Sequence, residues 1–322
     1  MTDRRRVRAG LLAAVVGAAA LLAVLVVSDP YRFVGYPGDP GRTLAPGEGG
    51  WLREPDAPVA LTEISAAAHA GRIWVAGGMD ASGTAVSRVM IYDPGSGAWS
   101  DGPSLAEPVH HAALVSDGDT LYLIGGFAGA GANRPTDAVW SLTAGADRWL
   151  PDRPLPEPRA AGAAAWDGRG RIVYGGGVGI DGVSDDVFVR DGDGWRQLAR
   201  LSEPREHLAA TSAGAGSVTF LGGRRGGLDG NLGAVDLVSG EGIVGRTEDV
   251  PTPRGGVAAF SAWTLGDCLV GGEGPVGRSA TSSASVSRPS PCSPGSAFRA
   301  TVWGRSLSVP RRTPCSVDRS PV

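Results

Sequence analysis

Arg72-Ile-Trp-Val-Ala-Gly-Gly78 ends a short apolar run on a glycine pair, and the same event recurs down the chain. Leu121-Tyr-Leu-Ile-Gly-Gly126, Arg171-Ile-Val-Tyr-Gly-Gly176, Val218-Thr-Phe-Leu-Gly-Gly223 and Cys268-Leu-Val-Gly-Gly272 repeat it. Counted from the first glycine of each pair, at 77, 125, 175, 222 and 271, the spacings are 48, 50, 47 and 49. A fixed period of that size marks a repeat architecture, in which each unit buries its apolar face against the next.

Two further marks keep phase with the glycines. Gly95-Ser-Gly-Ala-Trp99, Gly145-Ala-Asp-Arg-Trp149 and Asp191-Gly-Asp-Gly-Trp195 each follow a short strand pattern: Val89–Asp93, Ala138–Leu142 and Val187–Arg190. The fourth unit keeps the strand, Ala234–Val238, and has Ile243 near the tryptophan position. A proline turn opens each unit, as Glu157-Pro-Arg159, Glu203-Pro-Arg205 and Pro253-Arg254, with Glu107-Pro-Val109 a degenerate copy. Each unit reads as four strands: a small apolar one such as 160–166, a turn such as Asp167-Gly168, a strand ending at the glycines, then the third strand and the tryptophan strand. Four strands per 40–50 residues is one propeller blade. The tryptophans are expected to pack between blades.

Glycine pair, Tyr92-Asp93 and Trp99 together resemble the kelch family, and the resemblance covers about residues 42–277. It implies an all-β, kelch-type β-propeller similar to the central domain of galactose oxidase, with five recognisable blades and six intended. Leu44-Ala-Pro-Gly47 and Trp51 parallel Tyr92-Asp-Pro-Gly95 and Trp99. The N-terminal segment is therefore expected to close the ring and remove exposed sheet edges.

The ends differ from the repeats. Arg4, Arg5, Arg6 and Arg8 precede an uncharged run over residues 9–27, long enough to cross a bilayer at 1.5 Å per residue. The basic residues 1–8 are expected to stay cytoplasmic, placing the propeller outside the membrane behind a linker at 28–41. A cleaved signal peptide is the alternative. Residues 278–322 hold 12 Ser, 7 Arg and 6 Pro with one acid, Asp318. They read either as a disordered tail or as the product of a shifted reading frame.

Net charge is −3, which excludes the electrostatic footprint of a nucleic-acid binder. Cys268, Cys292 and Cys315 form no disulfide framework or metal set. Gly177-Val-Gly-Ile-Asp-Gly182 imitates a dinucleotide fingerprint, but a strand pattern follows where a helix is required. Asp191-Gly-Asp-Gly imitates a calcium loop whose twelfth position is Ser202 instead of glutamate. Neither cofactor nor metal is expected. Copper oxidases of the kelch type need Tyr, His and a modified Cys, and the repeats hold only Cys268.

Aligning the repeats puts Arg159, Arg205 and Arg254 in equivalent positions near the start of the inner strand. Glu63, His111 and His207 fall in phase two residues beyond that position. Such side chains ring the mouth of a propeller channel. Guanidinium forks suit carboxylates, and in some kelch proteins such arginines bind acidic peptides. Two readings of the arginines stand: they tie a turn into the blades, or they present a ligand face. The functional expectation is an extracytoplasmic binding or scaffolding module for a protein or glycan. The alternative is a carbohydrate-active propeller similar to the sialic-acid mutarotases.

Overall fold

The computed structural model describes residues 54–129, 134–192, 194–212, 214–242, 244–262, 266–273, 299–302 and 305–308. Four antiparallel four-stranded sheets follow one another along the chain. The first comprises Ser65–His69, Arg72–Ala76, Val89–Asp93 and Ala98–Asp101; the second Ala113–Ser116, Thr120–Ile124, Val139–Thr143 and Leu150–Pro151. The third comprises Ala163–Trp166, Ile172–Gly175, Asp186–Asp191 and Gly194–Arg200; the fourth Ala209–Thr211, Ser217–Leu221, Val235–Ser239 and Val244–Arg246. Gly255–Ala262 and Gly266–Glu273 pair as the start of a fifth. Strand order within each blade is sequential, as meander blades require. The expected all-β propeller is the fold.

The apolar core lies between blades. Ala76 and Val89 of the first blade cluster with Leu114, Leu121, Leu123 and Trp149 of the second. Ile124 and Val139 meet Ile172, Tyr174 and Phe188 across the next junction. Val173, Val187 and Val189 meet Val218, Phe220 and Val238 across the third. Leu221 and Val235 meet Leu269 across the fourth. Central strands are therefore buried on both faces, which is why Tyr92, Tyr174 and Phe220 are almost wholly covered.

The glycine pairs stitch these junctions. The N–H of Gly78 donates to the carbonyl of Val109 at 2.9 Å, and Gly126, Gly177 and Gly223 donate likewise to Arg159, Arg205 and Arg254. Both members of each pair have positive φ. A Cβ on Gly77 would sit 2.3 Å from the Val109 carbonyl oxygen, so no other residue allows that approach.

In the third blade the sequence phase needs correcting by one residue. Gly176 and Gly177, with φ of 68° and 93°, form the stitch. Gly175 is extended and pairs with Ala163 and Val187. Its missing side chain makes room for the Phe220 ring, which a Cβ would meet at 2.8 Å.

Trp149 and Trp195 sit between blades, as expected, and Trp99 packs on the first blade and the segment before it. Nε1 of Trp99, Trp149 and Trp195 donates to the carbonyls of Pro55, Pro103 and Arg153, at 3.2, 2.9 and 3.1 Å. Each bond links a blade to the segment one repeat earlier.

Several expectations fall outside the described residues: the basic segment and span at 1–27, the linker at 28–41, the closing strand at 44–51, Ile243, and most of the tail. Among the described residues no helix is long and apolar enough to cross a membrane. Within the tail, Arg299–Val302 pairs antiparallel with Arg305–Ser308.

Candidate functional site

Five equivalent residues stand just before or at the start of the inner strands: Glu63, His111, Ala161, His207 and Gly256. All have φ between 51° and 65°. For the four that are not glycine, this left-handed conformation costs on the order of 1–2 kcal/mol each. The compensation is a chain of backbone hydrogen bonds running from blade to blade. His111 N–H donates to Glu63 O at 3.2 Å, Ala161 N–H to His111 O at 2.8 Å, His207 N–H to Ala161 O at 2.7 Å, and Gly256 N–H to His207 O at 2.9 Å. The blades are thus registered at one level, and equivalent side chains are brought side by side.

These residues line a channel of about 240 Å³ between the inner strands. Its walls are mostly small, including Ala66, Ala113, Ala163, Ala164, Ala209 and Ala258. At the level of the backbone chain the lining becomes polar. His111 Nε2 lies 3.0 Å from Glu63 Oε2 and 3.1 Å from His207 Nε2, and His207 Nε2 lies 3.9 Å from Glu63 Oε2. The three side chains are only 11–20% exposed.

Supporting groups fix the rings. His207 Nδ1 bonds the Glu206 carboxylate. Glu206 Oε1 accepts from Arg224 Nε at 3.0 Å, and Arg224 Nη1 also reaches Glu273. His111 Nδ1 faces His110 Nδ1, and both rings pack on Phe127. Burial pushes the His111 imidazole down to about 2, helped by His207, His110 and Arg224, so this ring is neutral at pH 7. Burial also raises Glu63, partly offset by His207. Burial opposes ionisation of Glu206, but His207 and Arg224 outweigh it and hold its carboxyl below the usual range.

Of the six residues singled out in the sequence, the structure brings Glu63, His111 and His207 together and turns the arginines away. Arg159, Arg205 and Arg254 are buried, at 4%, 0% and 6% exposure, and do not line the channel. Arg159 Nη2 donates to Asp186 Oδ2 at 2.8 Å and Ser184 Oγ at 3.2 Å. Arg205 Nη1 donates to Asp236 Oδ2 at 2.8 Å, and Arg254 Nη1 to the Gly271 carbonyl at 2.7 Å. The expectation that these guanidinium groups face a ligand is therefore corrected. An acid or carbonyl of the arginine's own blade claims each one, while its backbone carbonyl takes the glycine stitch of the blade before.

Sequence reasoning missed Glu206, Arg224 and Glu273. A periodic signal existed. The residue after each glycine pair bridges the residue before each left-handed position, as Met79 does with Thr62 and Phe127 with His110. Only in the fourth and fifth blades are residues at these positions charged: Glu206, Arg224 and Glu273.

A repeat propeller with glycine-pair stitches and inter-blade tryptophans defines the class. The family model described as the kelch motif matches residues 60–106. β-Scruin of Limulus polyphemus is 25% identical over 183 residues, covering 54% of this chain and 20% of the relative. Kelch repeat protein M-T8 of Myxoma virus (strain Lausanne) is 33% identical over 142 residues, covering 43% and 27%. Kelch-like protein 35 of Mus musculus is 32% identical over 157 residues, covering 48% and 25%. The matched region spans about a fifth to a quarter of these relatives' length. The solved structure of YjhT superposes with a TM-score of 0.54 at 16% identity, over 70% of this chain and 80% of that one, which shows shared fold. Residues 60–106 carry the kelch motif, and the chain is similar to kelch-repeat proteins in sequence and to a solved propeller in fold.

Proposed function

We propose that this propeller is an extracytoplasmic binding or scaffolding module, held to the membrane by residues 9–27, that takes a protein or glycan ligand at its Glu63/His111/His207 face. One observation carries the proposal. Three polar side chains converge on a narrow channel, held by backbone that is hydrogen-bonded from blade to blade. A rigid scaffold that presents a fixed polar group is the arrangement recognition requires. Kelch propellers are generically binding modules, which supports the same reading.

The test uses the full chain in detergent micelles on a glycan array and in pull-downs from extracytoplasmic extracts. Binding is expected to fall at least tenfold in Glu63→Gln and His111→Gln, with near-ultraviolet circular dichroism unchanged. A ligand that binds these variants as well as the parent chain refutes the assignment of the face. Protease protection in inverted and right-side-out vesicles tests the topology: the propeller should be cleaved only from the outer side.

The carbohydrate-active reading keeps one observation in its favour. An acid and a base, Glu63 and His111, stand 3.0 Å apart in the channel, within reach of one substrate atom. Against it, the three arginines expected to hold a sugar carboxylate are buried in their own blades. Anomer exchange of sugar acids, followed by saturation-transfer NMR, separates the two: a binder leaves the exchange rate at its spontaneous value.

A further inference from the structure

Glu63 Oε2, His111 Nε2 and His207 Nε2 form a triangle with sides of 3.0, 3.1 and 3.9 Å. The circle through those three atoms has a radius of about 2.0 Å, and zinc-class ions bind imidazole nitrogen and carboxylate oxygen at about 2.0–2.2 Å. A single ion slightly above the plane of the triangle would therefore reach all three atoms without backbone movement. We propose that Glu63, His111 and His207 form a mononuclear site for a divalent transition-metal ion of the zinc class, with a coordination position left open to the channel.

The surroundings favour that ion over a simple hydrogen-bonded cluster. Glu206 accepts a hydrogen bond from His207 Nδ1, which leaves the Nε2 lone pair directed at the cluster. A carboxylate behind a ligating imidazole is the usual support of a metal-bound histidine. Arg224 holds Glu206 in turn. In the tautomer that donates Nδ1–H to His110 Nδ1, His111 likewise offers Nε2 as a lone pair. Three acceptor atoms then meet at one point, and a cation satisfies all three at once.

Glu206 and Glu273 share Arg224 beside His207. Two imidazoles and one carboxylate select the zinc class over calcium or magnesium, which prefer six or more oxygen ligands. Three protein ligands with a free position match open sites, not closed structural ones. Glu63, His111 and His207 stand in phase in the sequence, 48 and then 96 positions apart, but only the packing of the blades brings their ligand atoms within reach of one ion.

The site shares its residues with the proposed ligand face but does not require that ligand. Full-length chain in detergent, stripped with chelator, is titrated with zinc sulfate by calorimetry, and zinc-edge X-ray absorption is recorded on the loaded protein. One equivalent should bind with a micromolar or tighter dissociation constant, and the spectrum should show two imidazoles and no sulfur. Glu63→Gln, His111→Gln and His207→Gln should each weaken binding at least 100-fold. Glu206→Gln should weaken it roughly 10–100-fold through the orientation of His207. His69→Gln, outside the cluster, should leave it unchanged.

Failure of the folded parent chain to bind zinc at 100 μM overturns the proposal. A sulfur shell, fewer than two imidazoles, or undiminished binding in His207→Gln does so as well. If the ligand variants do not fold, the absorption spectrum of the parent chain decides alone. Loss of zinc binding with glycan or protein capture intact sinks only the metal site; the reverse sinks only the ligand face.

Discussion

Replacing Arg205 by alanine decides between the two roles its position in the repeat allows. The Arg205 and Asp236 side chains are both fully buried, joined by Nη1 and Oδ2 at 2.8 Å. Without the guanidinium, the Asp236 carboxylate keeps the Ser202 backbone N–H and hydroxyl, each at 3.0 Å, but loses its counter-charge. Removing one partner of a buried pair costs about 3–5 kcal/mol, because the ion left behind is neither solvated nor neutralised. With a urea m-value of about 2–3 kcal/mol/M, the unfolding midpoint should fall by about 1–2.5 M. Tryptophan fluorescence reports the transition, since Trp195 and Trp149 sit at blade junctions. The double variant Arg205→Met/Asp236→Leu should recover most of the loss, to within about 1–2 kcal/mol of the parent, because an apolar pair of similar volume leaves no unpaired charge. A midpoint unmoved in Arg205→Ala would show that water reaches the guanidinium, and the structural role argued for it would be wrong. The same would follow if the double variant were as unstable as the single one.

Gly177→Ala should destabilise by more than about 2 kcal/mol, since its backbone is left-handed and the new Cβ would lie 2.6 Å from the Ala160 carbonyl oxygen. Gly83→Ala, also left-handed but with open space around it, should cost only about 1 kcal/mol; thermal unfolding compares them. Trp149→Phe should cost about 1–2 kcal/mol, leaving the Pro103 carbonyl without its donor, and denaturant unfolding followed by circular dichroism measures it. Burial holds the His69 imidazole below its ordinary pKa of 6.5. Between the folded and unfolded values the unfolded chain binds more protons, so this group's contribution is complete above pH 6.5 and lost as pH falls. Urea titrations at several pH values should therefore show a shallower decline from pH 6.5 to 5 in His69→Gln than in the parent.

The blades were legible because their marks answer to geometry that recurs. A glycine pair is needed wherever a strand end must touch the carbonyl of the next blade, and a tryptophan wherever a blade edge must reach back one repeat. The one-residue error in the third blade has the same origin. Residues 175–177 are all glycine, and composition cannot say which two take positive φ. The answer lies in the next blade, where Phe220 needs the space at Gly175 and the Arg205 carbonyl needs the N–H of Gly177. The arginines were misread for a related reason. Phase fixes the turn an arginine occupies, but not the direction of a long side chain. The deciding residues, Asp186 and Asp236, stand 27 and 31 positions further on at the start of the third strand. Acids in phase with the arginines were the available signal.

The candidate site follows from what the ring does to short side chains as much as to long ones. Glu63, His111 and His207 belong to the first, second and fourth blades, so two neighbours and one more distant member meet. The third blade supplies Ala161 at the same level, in the same left-handed conformation and the same backbone chain. Its side chain is a single methyl, and His207 reaches His111 past it, ring centroids 4.8 Å apart. The fifth blade offers Gly256, with no side chain. A residue with reach at 161 would occupy the space in which the two imidazoles meet. Read one position at a time, alanine and glycine there look like gaps in a polar ring. Read as one level of the stacked blades, they give the cluster its room. The polar residues set its chemistry, and the small ones let residues 96 positions apart share it.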